Sequence, residues 1–384
     1  MKIIFNDYKA FKLAFAYFLY FGFLCLEFTY LSSYMITELK FTGKEITIIY
    51  GVIPIISLLS QPFWGQIADA TQKTGKVLRW CTFLGLLSFI PLYFSQTFYT
   101  FMLSLWLLAF CQSTVPSLID TLSLTRFGVQ KYGDIRVWGS LGYGAFALAF
   151  ALLFSVKSVI VSIICALFLC WLSALIIGEE DRRVKAEKKI YLLTLLRNPS
   201  FLILIIFSTL HWSSNIPYHI ILNIHSNNLG LSISITGYAI TAGIIAESLF
   251  IYYFPKWSSK LLLKHWLLLS ASMTALRWGI MTYPLGASLF IAIQVIHGFS
   301  FGVFFVASIS YIVKIVPVHM RASGQTLFSA FTFGLGNILG TLYLGLLDSP
   351  GKGYYVFGMA AFASLLSLIV TVFIRQHKNF DLCT

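Results

Sequence analysis

Apolar residues recur along this chain in long uninterrupted stretches, unlike the short alternating runs of a soluble sheet or the one-sided stripes of a soluble helix. Stretches of spanning length fall at 11–36, 46–68, 78–96, 99–125, 136–156, 158–178, 200–224, 233–254, 264–283, 286–314, 322–346 and 354–374. About 20 apolar residues carry an α-helix across ~30 Å of hydrocarbon, and only helices or closed barrels satisfy their backbone polar groups there. Barrel strands would alternate over about 10 residues, which these runs do not. The pattern predicts an all-α polytopic membrane protein of twelve transmembrane helices.

Composition narrows the class further. Of the 384 residues 58% are hydrophobic and 11% charged, whereas about 25% are charged in a typical soluble domain. A soluble enzyme is excluded, and 36 Phe, 20 Tyr and 9 Trp exclude a disordered chain. The net charge of +13 would point to nucleic acid in a soluble protein, so its placement matters. Arg136 and Arg277 are counted with the helices, Lys40, Lys44, Lys157 and Lys352 fall on one side, and the remaining 21 of the 27 Lys and Arg fall on the other. The crowded side is expected to be cytoplasmic, which puts both termini there and makes the cytoplasmic (inner) membrane the expected location. The bilayer, not nucleic acid, is the partner this charge serves. The first apolar stretch runs past signal-peptide length and lacks a small-residue cleavage site, so it is expected to remain as a span. The six cysteines show no paired spacing, and neither a disulfide framework nor a metal site is expected.

Residues 179–199 form the only extended polar linker. It divides the chain into an N-terminal six-helix half (1–178), a cytoplasmic linker (179–199) and a C-terminal six-helix half (200–384). Gln61-Pro62-Phe63-Trp64-Gly65 leading to Arg79-Trp80 is echoed by Tyr253-Phe254-Pro255-Lys256-Trp257 leading to His265-Trp266, and Arg136-x-x-Gly139 by Arg321-x-x-Gly324. Two parallel six-helix repeats with a site near the membrane midplane is a transporter arrangement.

The stretch Gly65-Gln66-Ile67-Ala68-Asp69-Ala70-Thr71-Gln72-Lys73-Thr74-Gly75-Lys76 resembles the loop motif after the second helix of the major facilitator superfamily. Gly65 would permit close helix approach, Asp69 would pair with a helix N-terminus or an Arg, and Lys73 and Lys76 would anchor the cytoplasmic side, together a conformational motif. Further along, Tyr132-Gly133-Asp134-Ile135-Arg136-Val137-Trp138-Gly139-Ser140-Leu141-Gly142-Tyr143, Arg197-Asn198-Pro199, Leu276-Arg277-Trp278 and Gln294-Val295-Ile296-His297-Gly298-Phe299-Ser300-Phe301-Gly302 are similar to the lactose permease and phenylpropionate permease branch, which includes oligosaccharide:proton symporters and nucleoside permease-like members. That resemblance implies that Arg136 contacts substrate, that an aromatic such as Tyr143 stacks on a sugar, and that Arg277 and His297 serve proton coupling. Ser300 stands where lactose permease has its proton-carrying Glu, and Glu247 fits the eighth-helix Glu of the phenylpropionate-like branch.

Ionisable groups inside spans are functional candidates by default, because a charge at the bilayer centre costs about 2.5–3.5 kcal/mol on insertion scales. Glu27 is spaced to share a helix face with Tyr20, Tyr30 and Tyr34, and Asp120 follows Pro116 by one turn. For Asp120 the alternatives are solute contact and a structural pairing with Arg136; for Arg136, solute contact and interfacial anchoring. His211, Asn215, His219 and Asn223 recur every four residues as a polar stripe, with Trp212 as a further aromatic. The expected substrate-binding set is Asp120, Arg136, Tyr143, His211, Asn215 and Glu27. The expected proton-coupling set is Glu247, Arg277 and His297, with Glu247 the protonatable carboxyl.

These readings converge on a secondary active transporter, not an enzyme. It would import a small organic solute, an aromatic carboxylate or a sugar with a nucleoside also open, together with protons, by alternating access and as a monomer without cofactor. A uniporter or exchanger of the same fold, favoured by Ser300, and a transport-fold solute sensor are the alternatives. No nucleotide-binding loop or catalytic motif is recognisable.

Overall fold

A computed structural model describes residues 7–71, 73–178, 195–316, 321–346 and 353–375. Eleven of its helices are long and apolar enough to cross a membrane among the described residues. We label the helices α1 (Tyr8–Thr37), α2 (Gly43–Thr71), α3 (Thr74–Phe94), α4 (Phe98–Phe127), α5 (Tyr132–Leu153), α6 (Val156–Ile176), α7 (199–228), α8 (Ile233–Trp257), α9 (Leu263–Ile280), α10 (Ala287–Ile315), α11 (321–346) and α12 (Gly353–Thr371). The expected ninth span is the one that fails the apolarity test: α9 is fully helical but carries Lys264, His265, Ser270, Thr274 and Arg277. The chain is a multi-pass, all-helical membrane protein. Most of the expected linker, residues 179–194, lies outside the described residues, as do Gln72 and the side chains of Asp69 and Arg321.

The helices cluster into two compact units, Met1–Ala186 and Glu187–Thr384. In the first, α1 lies directly on α5. A Cβ on Gly142 would come within 2.1 Å of the Phe18 carbonyl oxygen, and one on Gly22 within 2.4 Å of the Phe146 ring, so both positions need glycine for this crossing. Lipid tails are as apolar as the helices, so tight packing at small residues and polar contacts between helices hold such a bundle together. The aromatic residues supply those contacts with their polar tips. Tyr30 Oη donates to the Ala147 carbonyl at 2.8 Å, Trp64 Nε1 to Phe110 at 2.8 Å and Trp106 Nε1 to Ile49 at 3.1 Å.

Helical backbone continues from Val115 through Leu153, across the connection between α4 and α5. Tyr132 Oη nevertheless donates to Asp120 Oδ1 at 2.8 Å, although twelve residues of straight helix would separate the two by about 18 Å. The chain therefore bends sharply between them, and α4 and α5 act as separate spans.

In the second unit an apolar cluster of Phe201, Leu204, Phe207, Leu267, Phe304 and Ile312 fills the end where α7 begins and α10 and α12 finish. Beyond it the interior turns polar. α7 starts cleanly at Pro199, with Asn198 Oδ1 accepting from Ser200 N at 3.0 Å, but it is interrupted at Ser214–Asn215 and again at Ile221. Pro217 has no N–H to continue the ladder. Asn215 Nδ2 and Ser214 Oγ turn back on the His211 carbonyl, at 2.9 and 2.6 Å. The even spacing of four polar residues therefore does not make one straight stripe. Wide turns interrupt α1 at Leu26–Leu31, α10 at Gly298–Val303 and α11 at Ala330–Leu335, a distortion that often accompanies functional sites.

Candidate functional site

The second unit brings all three expected coupling residues together. Glu247 of α8, Arg277 of α9 and His297 of α10 are buried. α8 and α10 meet closely because a Cβ on Gly302 would stand 3.1 Å from the Glu247 carbonyl oxygen and one on Gly298 2.3 Å from the Phe250 ring. His297 Nε2 lies 3.3 Å from Glu247 Oε2, and His297 Nδ1 lies 3.0 Å from an Arg277 Nη. A guanidinium can only donate, so Nδ1 accepts. The ring proton of the neutral imidazole then sits on Nε2 and points at the Glu247 carboxylate. The three side chains form a contiguous polar chain in which the histidine stands between the acid and the guanidinium.

Arg277 is committed to this arrangement on every side. Gln294 Oε1 accepts from Nε at 3.1 Å and from a second guanidinium nitrogen, and the guanidinium carbon lies 4.5 Å from the Tyr218 ring and 4.1 Å from the Trp278 ring. Tyr218 also stacks on His297, ring centroids 4.6 Å apart. This cation is fully enclosed and has no face left for a solute carboxylate.

Half-buried aromatic residues surround the chain. Trp212 stands 5.5 Å from Phe301, 4.9 Å from Phe333 and 5.7 Å from His219, and its Nε1 donates to Asn337 Oδ1 at 2.7 Å. His211 lies deeper, stacked on Phe304 at 4.3 Å, and its Nε2 donates to the Ser300 carbonyl at 2.7 Å. Asn215 Nδ2 and His211 Nε2 are thus spent within α7 and on α10, while His211 Nδ1 and Asn215 Oδ1 are buried with no hydrogen-bond partner among the described residues.

In the first unit Asp120 and Arg136 come close without forming an ion pair among the described residues. Asp120 Oδ1 accepts from both Tyr17 and Tyr132, while the Arg136 guanidinium lies over the rings of Phe21, at 4.2 Å, and Tyr17, at 5.4 Å. Arg136 is half-buried, and no hydrogen bond or ion pair occupies it among the described residues. The pairing read as an alternative from sequence is replaced by a shared phenol, Tyr17. Tyr143 is buried, its Oη 3.4 Å from Thr29 Oγ1.

Of the tyrosines spaced to share a face with Glu27, Tyr20 stays near its carboxyl, whereas the hydroxyls of Tyr30 and Tyr34 turn to other helices. Tyr20 reaches the Gln112 carbonyl, Tyr30 the Ala147 carbonyl and Tyr34 the Gln96 side chain, and the wide turn at Leu26–Leu31 breaks the register between them. Of the conformational motif, Gly65 has open space around it, and Lys73 and Lys76 are exposed at the start of α3, where the Lys73 carbonyl accepts from Lys76 N at 3.0 Å. The Asp69 side chain lies outside the described residues.

Sequence reading overlooked Tyr218 and Asn337 as parts of the site. Asn337 carries a signal that could have marked it, as the one amide in the apolar run 327–346. Tyr218 carries none, since a tyrosine in so aromatic a chain is unremarked.

Comparison with known proteins adds the family. A family model described as the MFS_1 like family matches residues 10–358. The chain is 28% identical over 361 residues to the uncharacterized transporter YwbF of Bacillus subtilis, covering 91% of this chain and 89% of that one. It is 26% identical over 370 residues to the maltose permease of Geobacillus stearothermophilus, covering 92% of each. It is also 25% identical over 346 residues to the nucleoside permease NupG of Escherichia coli, covering 83% and 82%. A crystal structure of a NupG variant superposes with a TM-score of 0.84 at 21% identity, over 95% of this chain and 99% of that one.

Proposed function

Because the chain belongs to the MFS_1 like family, whose members here are membrane transporters of the major facilitator type, we propose that it is a proton-coupled importer of a small neutral solute containing a sugar ring, a sugar or a nucleoside. The observation that carries the coupling half of this reading is the buried chain Glu247–His297–Arg277. Glu247 is the proton carrier. While it is charged, it accepts the His297 Nε2–H and balances Arg277 through the ring. A proton on Glu247 removes that balance and loosens the link between α8 and α10, and its release to the cytoplasm restores the link. Alternating access follows when solute and proton together favour one arrangement and their departure the other.

The substrate class rests on what the lining leaves unspent. Taken by itself, the second unit offers a solute the amide nitrogen of Asn337 and the ring faces of Trp212, Phe301 and Phe333, since Arg277 is enclosed, and the first unit, by itself, offers Arg136 and Asp120. Hydroxyl-rich rings suit such a mixture of donors, acceptors and aromatic faces. Maltose and nucleosides, named for two relatives, share a sugar ring. We place the carrier in the cytoplasmic membrane, working as a monomer.

The test is uptake of labelled uridine, maltose and phenylpropionate in a host lacking the corresponding transporters, with external pH recorded in deenergised cells. Uptake of uridine or maltose with external alkalinisation is the expected result. Entry of solute without alkalinisation leaves a uniporter or exchanger. Uptake of phenylpropionate alone overturns the neutral-solute reading.

A further inference from the structure

One buried carboxyl of the first unit has no role in the coupling chain. Glu27 sits in the wide turn Leu26–Leu31 of α1 and is 5% exposed. Its main-chain carbonyl accepts from Tyr50 Oη at 2.9 Å, but among the described residues its carboxyl makes no hydrogen bond or ion pair. The polar and titratable groups around this stretch are Tyr20 on α1, Tyr50 on α2, Cys81 on α3, Gln112 on α4, Tyr143 on α5 and Cys170 on α6. None is a cation. Arg136 lies over Tyr17 and Phe21, at least six residues earlier in α1, about 9 Å along the axis.

Matching the embedded charges leaves one over. In the second unit Glu247 is balanced by Arg277 through His297. In the first, Asp120 and Arg136 meet at Tyr17. Among the described residues Glu27 alone has no positive group to answer it, and an uncompensated carboxylate inside a membrane is costly unless it takes up a proton. A second polar group nearby is also unspent: Tyr20 Oη donates to the Gln112 carbonyl, while the side-chain oxygen and nitrogen of buried Gln112 have no hydrogen-bond partner. Buried polar atoms left open in this way mark a place that takes in water or a ligand at some stage.

We propose that Glu27 is a second proton-binding site of the carrier, filled from external water and emptied to the cytoplasm in each cycle, so that two protons accompany each solute. One is carried at Glu27 and one at Glu247. At each site the proton adds to a carboxylate oxygen and leaves from the same oxygen, and no other bond is made or broken. This inference rests on the proton-coupled reading above and concerns its stoichiometry.

The stoichiometry is read from the full chain in proteoliposomes, with the membrane potential clamped at zero and a pH difference of one unit imposed. The accumulation ratio of the transported labelled solute is measured at steady state. One proton supports about 10-fold accumulation and two about 100-fold. We expect about 100-fold for the wild type, about 10-fold for Glu27→Gln and about 100-fold for Glu27→Asp, which keeps the carboxyl. A wild-type ratio near 10, or a Glu27→Gln ratio near 100, overturns the proposal and leaves single-proton symport intact. A wild type that equilibrates without accumulating overturns the coupled reading as well. Should Glu27→Gln fail to reconstitute, Glu27→Ala takes its place, and the wild-type ratio decides in any case.

Discussion

At His297 the two ring nitrogens face opposite charges, and each neighbour fixes what the other can do. Because Arg277 can only donate, removing it frees Nδ1 and lets the ring change tautomer, so that Nε2 no longer has to present its proton to Glu247. Arg277→Lys keeps the charge but cannot also serve both His297 and Gln294 from one plane. It is expected to keep solute exchange down a gradient and to lose most accumulation, measured as the ratio of counterflow to energised uptake. Arg277→Ala breaks a buried charge network and should cost about 3–5 kcal/mol, read as a drop in the detergent melting temperature. A second histidine tests burial rather than coupling. His225, beyond the apolar span that ends at Ile220, is enclosed by Phe290, Tyr354 and Phe357, and burial brings its ring down to about 4, with the Met281 carbonyl pulling weakly the other way. Between about pH 6.5 and 4 the unfolded chain therefore binds the proton that the folded chain refuses, and stability falls as pH drops through that window. His225→Phe should flatten the fall in melting temperature between pH 7.5 and 5, and an unchanged slope would show that His225 contributes nothing to it. The sequence pattern marks His297 and Arg277, since charges in apolar runs stand out. It does not mark the tautomer, the Gln294 clamp or the aromatic enclosure, because those depend on three different helices meeting.

The elements were legible to the extent that hydrocarbon dictates them. Long apolar runs locate the spans, and even polar α9 follows from its place between two of them. Interruptions within a span are less legible, because a wide turn or a break leaves apolarity unchanged. Pro217 is a visible reason for the break in α7, but nothing in the residues 26–31 announces the turn that parts Tyr30 and Tyr34 from Tyr20. The internal repeat, in contrast, has a structural counterpart inside each unit. Arg79 at the start of α3 donates to the Ile177 carbonyl just past α6, and Lys264 at the start of α9 donates to the Val372 carbonyl just past α12, at 3.3 and 2.8 Å. Two glycines separate a packing role from a conformational one. Gly142→Leu should destabilise by about 1–3 kcal/mol or more, since its Cβ would strike the Phe18 backbone, and this reads as loss of folded protein in size-exclusion profiles. Gly65→Ala meets nothing within 4 Å and should shift stability by less than about 0.5 kcal/mol. If it still slows uptake several-fold at unchanged melting temperature, the need for glycine there arises in another state of the transport cycle.

For the whole molecule the +13 charge and the embedded residues answer different questions. The embedded set is nearly self-balancing once protons are allowed, which is what lets a carrier change state without moving a large charge through hydrocarbon. The remaining basic residues therefore weigh little in the chemistry and much in orientation. The sequence assigns twenty-one Lys and Arg to one side against Lys40, Lys44, Lys157 and Lys352 on the other, and the expectation that follows is insertion with the crowded side inward. Lys157 lies in the short α5–α6 connection, 77% exposed and 3.9 Å from Glu38 in the α1–α2 connection, so those two loops share one end of the first unit. The end bearing Arg79 and Arg126, which both donate to carbonyls just past α6, is the opposite one. A green fluorescent protein fused after Arg375 should then fluoresce, and alkaline phosphatase fused after Lys157 should be active, in the same host. Adding four lysines beside Lys157 is expected to lower the yield of correctly inserted carrier, because it erodes the asymmetry that sets the orientation. Active phosphatase at the C-terminus of the unmodified chain would reverse the orientation and, with it, the assignment of Glu27 and Glu247 to proton import.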